Sequence, residues 1–113
     1  MKVGKGKGQI MYKLVFFVPE SHLQQVKDAV FSTGAGRIGN YEACCFQLKG
    51  VGQFRPLAGS QPFIGDEGRL QQVEEWRVEL VAADAVIADA VAALKQAHPY
   101  DEVAYEVWPL SSF

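Results

Sequence analysis

Hydrophobic residues recur along this chain with a period of two in some segments and with spacings of three and four in others, which predicts strands and helices respectively. Tyr12 to Val18 is apolar in both alternating sets and predicts a strand that is covered on both faces. Leu70 to Val81 alternates apolar with charged residues and predicts a long strand with one wet face. Shorter strands are predicted over Tyr41 to Lys49 and over Glu102 to Trp108.

Two amphipathic helices are predicted between these strands. The first carries an apolar stripe from Leu23 to Val30 and reaches about Thr33, where Gly34 is placed to stop it. The second has Asp84 as its N-cap and ends near Ala97, because the residue before a proline avoids the helical conformation. The order of elements is therefore strand, helix, strand, strand, helix, strand.

This order predicts an α+β, ferredoxin-like βαββαβ fold, in which a four-stranded antiparallel sheet carries both helices on one face. Since the helices cover only that face, Val15 and Phe17 of the first strand, or the residues of its other alternating set, are expected in an exposed apolar patch on the other. Monomeric proteins rarely expose such a patch. The sequence therefore predicts a homo-oligomer whose subunits associate sheet to sheet.

Composition sets the size and class of the molecule. The 113 residues, 49% of them hydrophobic, fit a single domain, which we place at residues 11–113. The net charge of -2 argues against a protein that binds nucleic acid through its phosphates. No apolar run approaches the roughly 20 residues that span a bilayer, so a soluble protein without membrane partners is expected.

The amino-terminal residues and the cysteines bear on the compartment. Residues 1–10 alternate glycine with lysine and lack the apolar segment of a secretory signal, which predicts a flexible basic tail. Cys44 and Cys45 are adjacent, and a disulfide between them would be strained. We expect one thiol in the core and the other on the opposite face of a strand, in a reducing cytoplasm.

The run Gly34-Ala35-Gly36-Arg37-Ile38-Gly39 matches the G-x-G-x-x-G pattern of dinucleotide sites. In those sites the glycines leave a strand and open a helix, so that the pyrophosphate meets the helix N-terminus. Here they follow a predicted helix and precede a strand. We therefore interpret them as turn glycines with positive φ angles.

A Gly- and Pro-rich segment from Gly50 to Gly68 separates two of the predicted strands. A loop of this length is uncommon in a small domain and is often functional, and its apolar residues indicate that it packs onto the domain. We predict a ligand surface on this loop and at the corner around His98, between the second helix and the last strand. Two arginines are included among the candidate residues, because a guanidinium can bind an anion or a carboxylate. The ordinary alternative is that these arginines are solvated and bind nothing. The predicted ligand-binding residues are Arg37, Gln53, Phe54 and Arg55.

The segment His98-Pro99-Tyr100-Asp101-Glu102 places an imidazole, a phenol and two carboxylates between the second helix and the last strand. His98, together with Asp101 or Glu102, or with His22 if the fold brings it near, is a candidate ligand of a divalent metal, and the metal set we predict is His98, Glu102 and His22. The alternative is that His98 caps the helix C-terminus and the carboxylates lie on the surface. With two histidines in the chain, a site of three histidines within one chain is excluded.

Four separated runs between Tyr12 and Trp108 resemble the YqfO-type domain, which is inserted in bacterial members of the toroidal dinuclear-metal family called GTP cyclohydrolase type-one-like or NGG-interacting-factor-like. The resemblance implies the architecture of the CutA and PII signalling proteins and favours a trimer. It does not imply hydrolase activity, because the metal ligands of that family lie in two flanking lobes that are not expected in this chain. The runs are Gly34 to Tyr41, Gly52 to Pro56, Pro62 to Gly65 and His98 to Tyr105.

No Ser/His/Asp order, nucleophile elbow or spaced carboxylate pair supports catalysis. We interpret the chain as a small cytoplasmic oligomeric module with a binding or regulatory role, with a divalent metal or a small ligand near the His98 corner. One alternative is an accessory subunit of a dinuclear-metal hydrolase-like enzyme, whose site is supplied by a partner or forms between protomers. A purely structural assembly module is the other alternative.

Overall fold

The computed structural model describes residues 10–113, which form a four-stranded sheet and two helices. The strands are β1 (Met11–Pro19), β2 (Phe46–Phe54), β3 (Gln71–Ala83) and β4 (Tyr105–Leu110). The helices are α1 (Leu23–Phe31), which follows a short 3-10 helix at Glu20–His22, and α2 (Asp84–Ala97). The predicted flexible tail falls almost entirely on residues 1–9, which lie outside the described residues.

The strands are arranged in the order β2-β3-β1-β4, and each neighbouring pair is antiparallel. The interior strand β1 pairs with β3 along its whole length, from Met11 opposite Ala83 to Pro19 opposite Glu75. This arrangement confirms the predicted ferredoxin-like βαββαβ fold. Within residues 10–113, no helix is long and apolar enough to cross a membrane.

The hydrophobic core lies between the two helices and one face of the sheet. β1 supplies Leu14, Phe16 and Val18 to it, all without exposed surface. The helices contribute the apolar stripes that their spacing predicts, because residues three and four apart share one face. Burial of a side chain such as that of Phe16 stabilises the fold by roughly 1.5–3 kcal/mol. The buried helix residues are Val26, Val30, Ala90 and Leu94, and β3 adds Val78, Leu80 and Ala82.

The opposite face of the sheet, which we call the open face, mixes charged with apolar side chains. Residues directly opposite each other in a sheet share a face, so the pairing of β1 defines its membership. Lys13, Val15 and Phe17 of β1 lie on it. The neighbouring strands add Phe46, Leu48, Glu75, Arg77, Glu79, Val81, Glu106 and Trp108.

The prediction that Val15 is exposed on this face is wrong. Val15 has 0% exposed surface and lies in register between Glu79 and Glu106. The guanidinium of Arg77 lies 5.7 Å from the centroid of the Phe17 ring, so a long polar side chain of β3 covers part of the middle of the face. The exposed apolar side chains of the open face lie on the outer strands: Phe46 is 64% exposed, Leu48 45% and Trp108 38%.

β2 lies further along the chain than predicted, beginning at Phe46 rather than Tyr41. Tyr41 belongs to a separate bridge, and Ala43 adopts a positive φ of 58°, which interrupts an extended strand. At its other end β2 continues past Lys49 to Phe54, because its pairing with β3 persists through two glycines. Backbone hydrogen bonding therefore outweighs the low strand preference of glycine here.

β4 begins later than predicted, at Tyr105 rather than Glu102, and continues beyond Trp108 to Leu110. It therefore includes Pro109, which an edge strand tolerates because a backbone N–H that faces away from the sheet is not needed there. The predicted end of α2 is confirmed. His98, the residue before the proline, is extended, with φ -74° and ψ 140°.

The beginning of α2 differs in detail from the prediction. The N-cap residue is Ala83 rather than Asp84, and the cap makes no side-chain hydrogen bond. Asp84 is instead the first helical residue, and its carboxylate accepts a hydrogen bond from the Tyr12 hydroxyl at 3.2 Å. A carboxylate in the first turn also interacts favourably with the helix dipole.

The glycines between α1 and β2 adopt the predicted positive φ angles, 98° at Gly34, 83° at Gly36 and 57° at Gly39. Gly36 fastens this connection to the sheet, since its N–H donates to the carbonyl of Val81 at 2.8 Å. The prediction of one cysteine in the core is wrong, because both cysteines precede β2 instead of lying in it. Cys44 is half-buried and Cys45 is exposed, and both are free thiols.

Candidate functional site

A pocket of about 410 Å³ lies where the end of β2, the loop of residues 55–70 and the corner of residues 100–104 meet. Its volume falls in the range of small-molecule sites. Apolar side chains form most of the wall: Phe54, Pro56, Leu57, Pro62, Phe63 and Ile64. Its charged side chains are Arg55, Glu75, Asp101 and Glu102.

A carboxylate and a phenol meet at the polar side of the pocket. The hydroxyl of Tyr100 donates to Oε2 of Glu75 at 2.9 Å. Burial and, after it, the hydrogen bond to Glu75 raise the pKa of Tyr100 far above its usual value. The phenol therefore stays protonated over the physiological range, and the hydrogen bond orients the Glu75 carboxylate.

Glycine in β2 makes room for that carboxylate. Gly52 lies close to the Glu75 side chain, and a Cβ at this position would collide with a Glu75 carboxylate oxygen. At Gly50, directly opposite Glu75, a Cβ would meet nothing within 4 Å. The absence of a side chain at Gly52 thus positions Glu75 against the β2 backbone.

Three aromatic rings border the pocket. The ring centroid of Tyr100 lies 6.4 Å from that of Phe54 and 6.3 Å from that of Phe63. The rings are tilted against each other by 49° and 44°, so they form adjoining walls rather than a stack. His22 contacts the outer side of this group, with its ring edge-on to Phe63 at 5.3 Å.

Backbone contacts fix the 55–70 loop over the pocket. The N–H of Gly68 donates to the carbonyl of Pro56 at 2.7 Å, which closes the base of the loop, and Pro56 is buried. The Asp101 carboxylate accepts a hydrogen bond from the N–H of Gln61 at 3.0 Å, which joins the loop to the corner. The predicted packing of the loop holds for its base, whereas Leu57 is 69% exposed.

His98 lies behind the pocket, is 6% exposed, and both of its ring nitrogens are hydrogen-bonded. Nε2 is 2.7 Å from the carbonyl of Phe17, and Nδ1 accepts from the N–H of Tyr100 at 3.1 Å. Because a carbonyl only accepts, Nε2 carries the proton and the ring is neutral. Burial lowers the pKa of His98, against the opposing effect of the hydrogen bond to Phe17.

The predicted metal ligands do not form a ready coordination site. Among residues 10–113 no group of three or more His, Cys, Asp or Glu side chains is placed to hold a metal ion. A metal at His98 would have to replace one of its two backbone hydrogen bonds. The Nδ1 of His22 lies 2.8 Å from the Ser21 hydroxyl, and Glu102 is an exposed member of the pocket wall. The described side chains therefore do not fit a bound metal as they stand.

The other predicted ligand-binding residues divide into two groups. Gln53, Phe54 and Arg55 line the pocket. Arg37 is not among the lining residues and lies in the turn before β2, where its guanidinium is 3.8 Å from the carboxylate of Glu42. Both of those side chains are highly exposed. The structure thus brings Gln53, Phe54 and Arg55, but not Arg37, together with residues 100–102 of the His98 corner.

Glu75 is the pocket residue that sequence reasoning missed. The alternation of charged and apolar residues in β3 placed Glu75 on the polar face of the strand but gave no sign that it belongs to a site. The contact with Tyr100 joins residues 25 positions apart, and local patterns do not reveal such contacts. The signal available in the sequence was the pair of glycines, Gly50 and Gly52, in a segment that otherwise alternates apolar and polar residues.

The chain has curated relatives over almost its whole length, although no family model matches it. The GTP cyclohydrolase 1 type 2 homolog of Halalkalibacterium halodurans is 46% identical over 102 residues, which cover 90% of this chain and 27% of that protein. The protein of the same name from Bacillus subtilis is 43% identical over 98 residues, covering 87% and 26% respectively. The chain therefore spans about a quarter of the length of these relatives.

Solved structures extend the comparison to the fold. The Bacillus cereus protein related to NIF3 superposes with a TM-score of 0.79 at 40% identity, over 92% of this chain and 26% of that one. CutA from Archaeoglobus fulgidus gives a TM-score of 0.64 at 12% identity and covers 91% of this chain and 86% of its own. GlnK from B. subtilis gives 0.59 at 12% identity, covering 89% and 82%.

The low identity to CutA and GlnK limits that likeness to the fold, whereas the bacterial relatives are similar in sequence as well. The likeness to them covers nine tenths of the chain. The resemblance inferred from the motifs is therefore confirmed: the chain is a homologue of a domain-sized part of the NIF3-related proteins named GTP cyclohydrolase 1 type 2 homolog, and it has a CutA- and PII-like fold.

Proposed function

We propose that this chain is a small binding or regulatory module that takes a small ligand in the pocket beside Tyr100 and performs no chemistry of its own. The pocket carries the proposal, because it joins apolar walls to an oriented carboxylate under a fastened loop. Small-molecule sites generally combine such walls with a few placed polar groups. The hydroxyl of Ser60, which lines the pocket, donates to the backbone carbonyl of Leu57 at 2.7 Å. A backbone carbonyl is not a general base, so this contact does not activate Ser60 as a nucleophile.

The proposal is tested by filling the pocket. Ala104 lines it with an exposed side chain, so Ala104→Phe should occupy the space without disturbing the core. Small-molecule fragments that shift NMR signals of Phe63 and Tyr100 in the unmodified protein should lose this effect in the variant. Ala92→Phe, at an exposed position of α2, should leave it intact. A fragment screen that perturbs no pocket signal would contradict the proposal.

We further propose that the chain acts as a homo-oligomer in the cytoplasm. Supporting the assembly are the exposed apolar side chains at the outer strands of the open face, Phe46, Leu48 and Trp108. Phe46 and Leu48 lie on the same face of β2, and exposed apolar surface of this kind generally marks a contact with another molecule. The family resemblance favours a trimer. Two free thiols at neighbouring positions agree with a reducing compartment.

A second proposal is that the chain is an accessory unit of a dinuclear-metal hydrolase-like enzyme, with the reactive site supplied by a partner or formed between protomers. It is supported by the relatives named GTP cyclohydrolase 1 type 2 homolog, in which the similar region is about a quarter of the whole. The test mixes this chain with the remaining part of the B. subtilis relative. Co-elution in size-exclusion chromatography is expected, and separate elution at micromolar concentration would contradict it.

The divalent metal at the His98 corner stays a prediction. Calorimetric titration of metal-stripped protein with zinc, copper and cobalt tests it. If a metal binds there, His98→Ala should abolish the heat that the unmodified chain gives. Equal heats from the two proteins would rule the site out.

A further inference from the structure

We propose that the pocket takes a small organic cation, an ammonium group carried on an apolar body; this inference rests on the proposed function and adds the ligand class to it. The pocket wall holds three carboxylates, Glu75, Asp101 and Glu102, and one cationic side chain, Arg55. The charge balance inside the pocket is therefore negative. A ligand of the opposite charge is attracted both on approach and when bound.

Glu75 is the carboxylate best placed to hold the charge of the ligand. It is half-buried, and the hydrogen bond from Tyr100 and the close approach to the Gly52 backbone fix its direction. A charge-assisted hydrogen bond from an ammonium to such a group is stronger than one between neutral partners. Asp101 already accepts a hydrogen bond from the loop, so its structural role is to hold that loop closed.

The aromatic walls favour the same charge. The rings of Phe54, Phe63 and Tyr100 border one space, with centroids 6.3 and 6.4 Å apart between neighbouring walls. A cation within about 6 Å of a ring centroid is attracted by the negative face of the ring, and three rings border this pocket. An anion would be repelled by the same negative ring faces.

The volume of the pocket and its apolar lining indicate what the ligand carries besides its ammonium group. A pocket of about 410 Å³ exceeds the needs of a bare ammonium ion. Pro56, Leu57, Pro62 and Ile64 also line the pocket and offer no hydrogen-bonding side chain. A compact apolar group attached to the ammonium buries this surface favourably. Benzylamine, protonated at neutral pH, has this chemistry and serves as the probe.

The experiment titrates the full chain with benzylammonium, neutral benzyl alcohol and anionic benzoate, and follows the NMR signals of Phe63 and Tyr100. Benzylammonium is expected to bind about five- to tenfold more tightly than benzoate, because charged contacts typically change affinity by such factors. Tighter binding of benzoate would overturn the inference and leave the proposed function standing. If none of the three binds, the inference is overturned, and the fragment screen described above decides the proposed function separately.

Variants then locate the charge. Glu75→Gln retains an acceptor for Tyr100 and should weaken benzylammonium about three- to tenfold while leaving benzyl alcohol unchanged. Phe63→Leu keeps an apolar wall without a ring face, and should weaken the cation about two- to fivefold. Glu106→Gln removes an exposed carboxylate outside the pocket lining and should have no effect. If Glu106→Gln and Glu75→Gln weakened the binding of benzylammonium equally, the overall charge of the protein would explain the effect, and the assignment of Glu75 as the binding carboxylate would be overturned.

Discussion

His98 shows how a single buried side chain links two distant parts of the chain. Its ring spans from the carbonyl of Phe17 in β1 to the N–H of Tyr100 after α2, and both contacts need the neutral form. A protonated ring would bring a second N–H toward the N–H of Tyr100, which repels it. Glu75 favours the charged form and His22 opposes it, but burial is the largest influence and lowers the pKa of His98.

This arrangement predicts a loss of stability in mild acid. The unfolded chain takes up a proton at His98 near the ordinary pKa of about 6.5, whereas the folded chain does so only at lower pH. Between those two values the unfolded state binds more protons, so the free energy of unfolding falls as the pH falls. Urea unfolding at several pH values should show this fall. The variant His98→Gln, which does not titrate, should show a flatter dependence, and equal slopes would contradict the explanation.

Gly36 is a second position where one residue decides the local structure. Its φ of 83° disfavours any side chain, and a Cβ would lie 2.7 Å from the Phe31 ring. Gly36→Ala should therefore lower the free energy of unfolding by roughly 2–4 kcal/mol, from backbone strain and overpacking together. Gly39→Ala is the matched control, because its φ is also positive but no atom lies within 4 Å of the added Cβ.

Gly39→Ala should lower the free energy of unfolding only by the backbone strain, roughly 1–2 kcal/mol. Urea unfolding of both variants measures the difference directly. Equal losses would show that the contact with Phe31 is relieved without cost.

At the scale of elements, the periodic segments were predictable and the irregular ones were not. β1, β3, α1 and α2 fell near their predicted bounds, because each buries a regular apolar set. β2 was displaced along the chain, since its register depends on hydrogen bonds to β3 that a single strand does not encode. The site followed the same division: the His98 corner and the loop were visible as unusual sequence, whereas the contact between Glu75 and Tyr100 required the assembled sheet.

The two glycines of β2 give a prediction at this scale. Gly52→Ala should displace the Glu75 carboxylate and break its hydrogen bond with Tyr100, while changing the free energy of unfolding by no more than about 1 kcal/mol. Gly50→Ala, in the same strand, adds its methyl group to open space. NMR spectra should show large shifts at Tyr100 in the first variant and small ones in the second. Unchanged Tyr100 signals in both would mean that Glu75 accommodates the added Cβ.

At the scale of the whole molecule, the open face decides whether the chain works alone. At its centre Val15 is buried and the Arg77 guanidinium lies over the Phe17 ring, so the sequence-based expectation of a continuous apolar patch was too simple. The alternation in β1 correctly located the second face but did not reveal that Val15 is buried on it. The apolar surface that remains is displaced to the outer strands, where a second copy would have to make contact.

The proposed assembly predicts that a charge on β2 separates the subunits. Sedimentation equilibrium at micromolar concentration should show an oligomer for the unmodified chain and smaller species for Phe46→Lys, since burying an unpaired charge is costly. Val51→Lys is the control, because Val51 is 69% exposed but belongs to the opposite face of the same strand. A monomeric unmodified chain would contradict the assembly.

Pro109 has a consequence for the way in which copies can join. It lies in β4, one of the two lateral borders of the sheet, and it has no N–H to offer an added strand. Endless ribbons, in which every copy extends the sheet of the last, need both borders to accept a neighbour. With one border blunted in this way, growth of that kind is disfavoured.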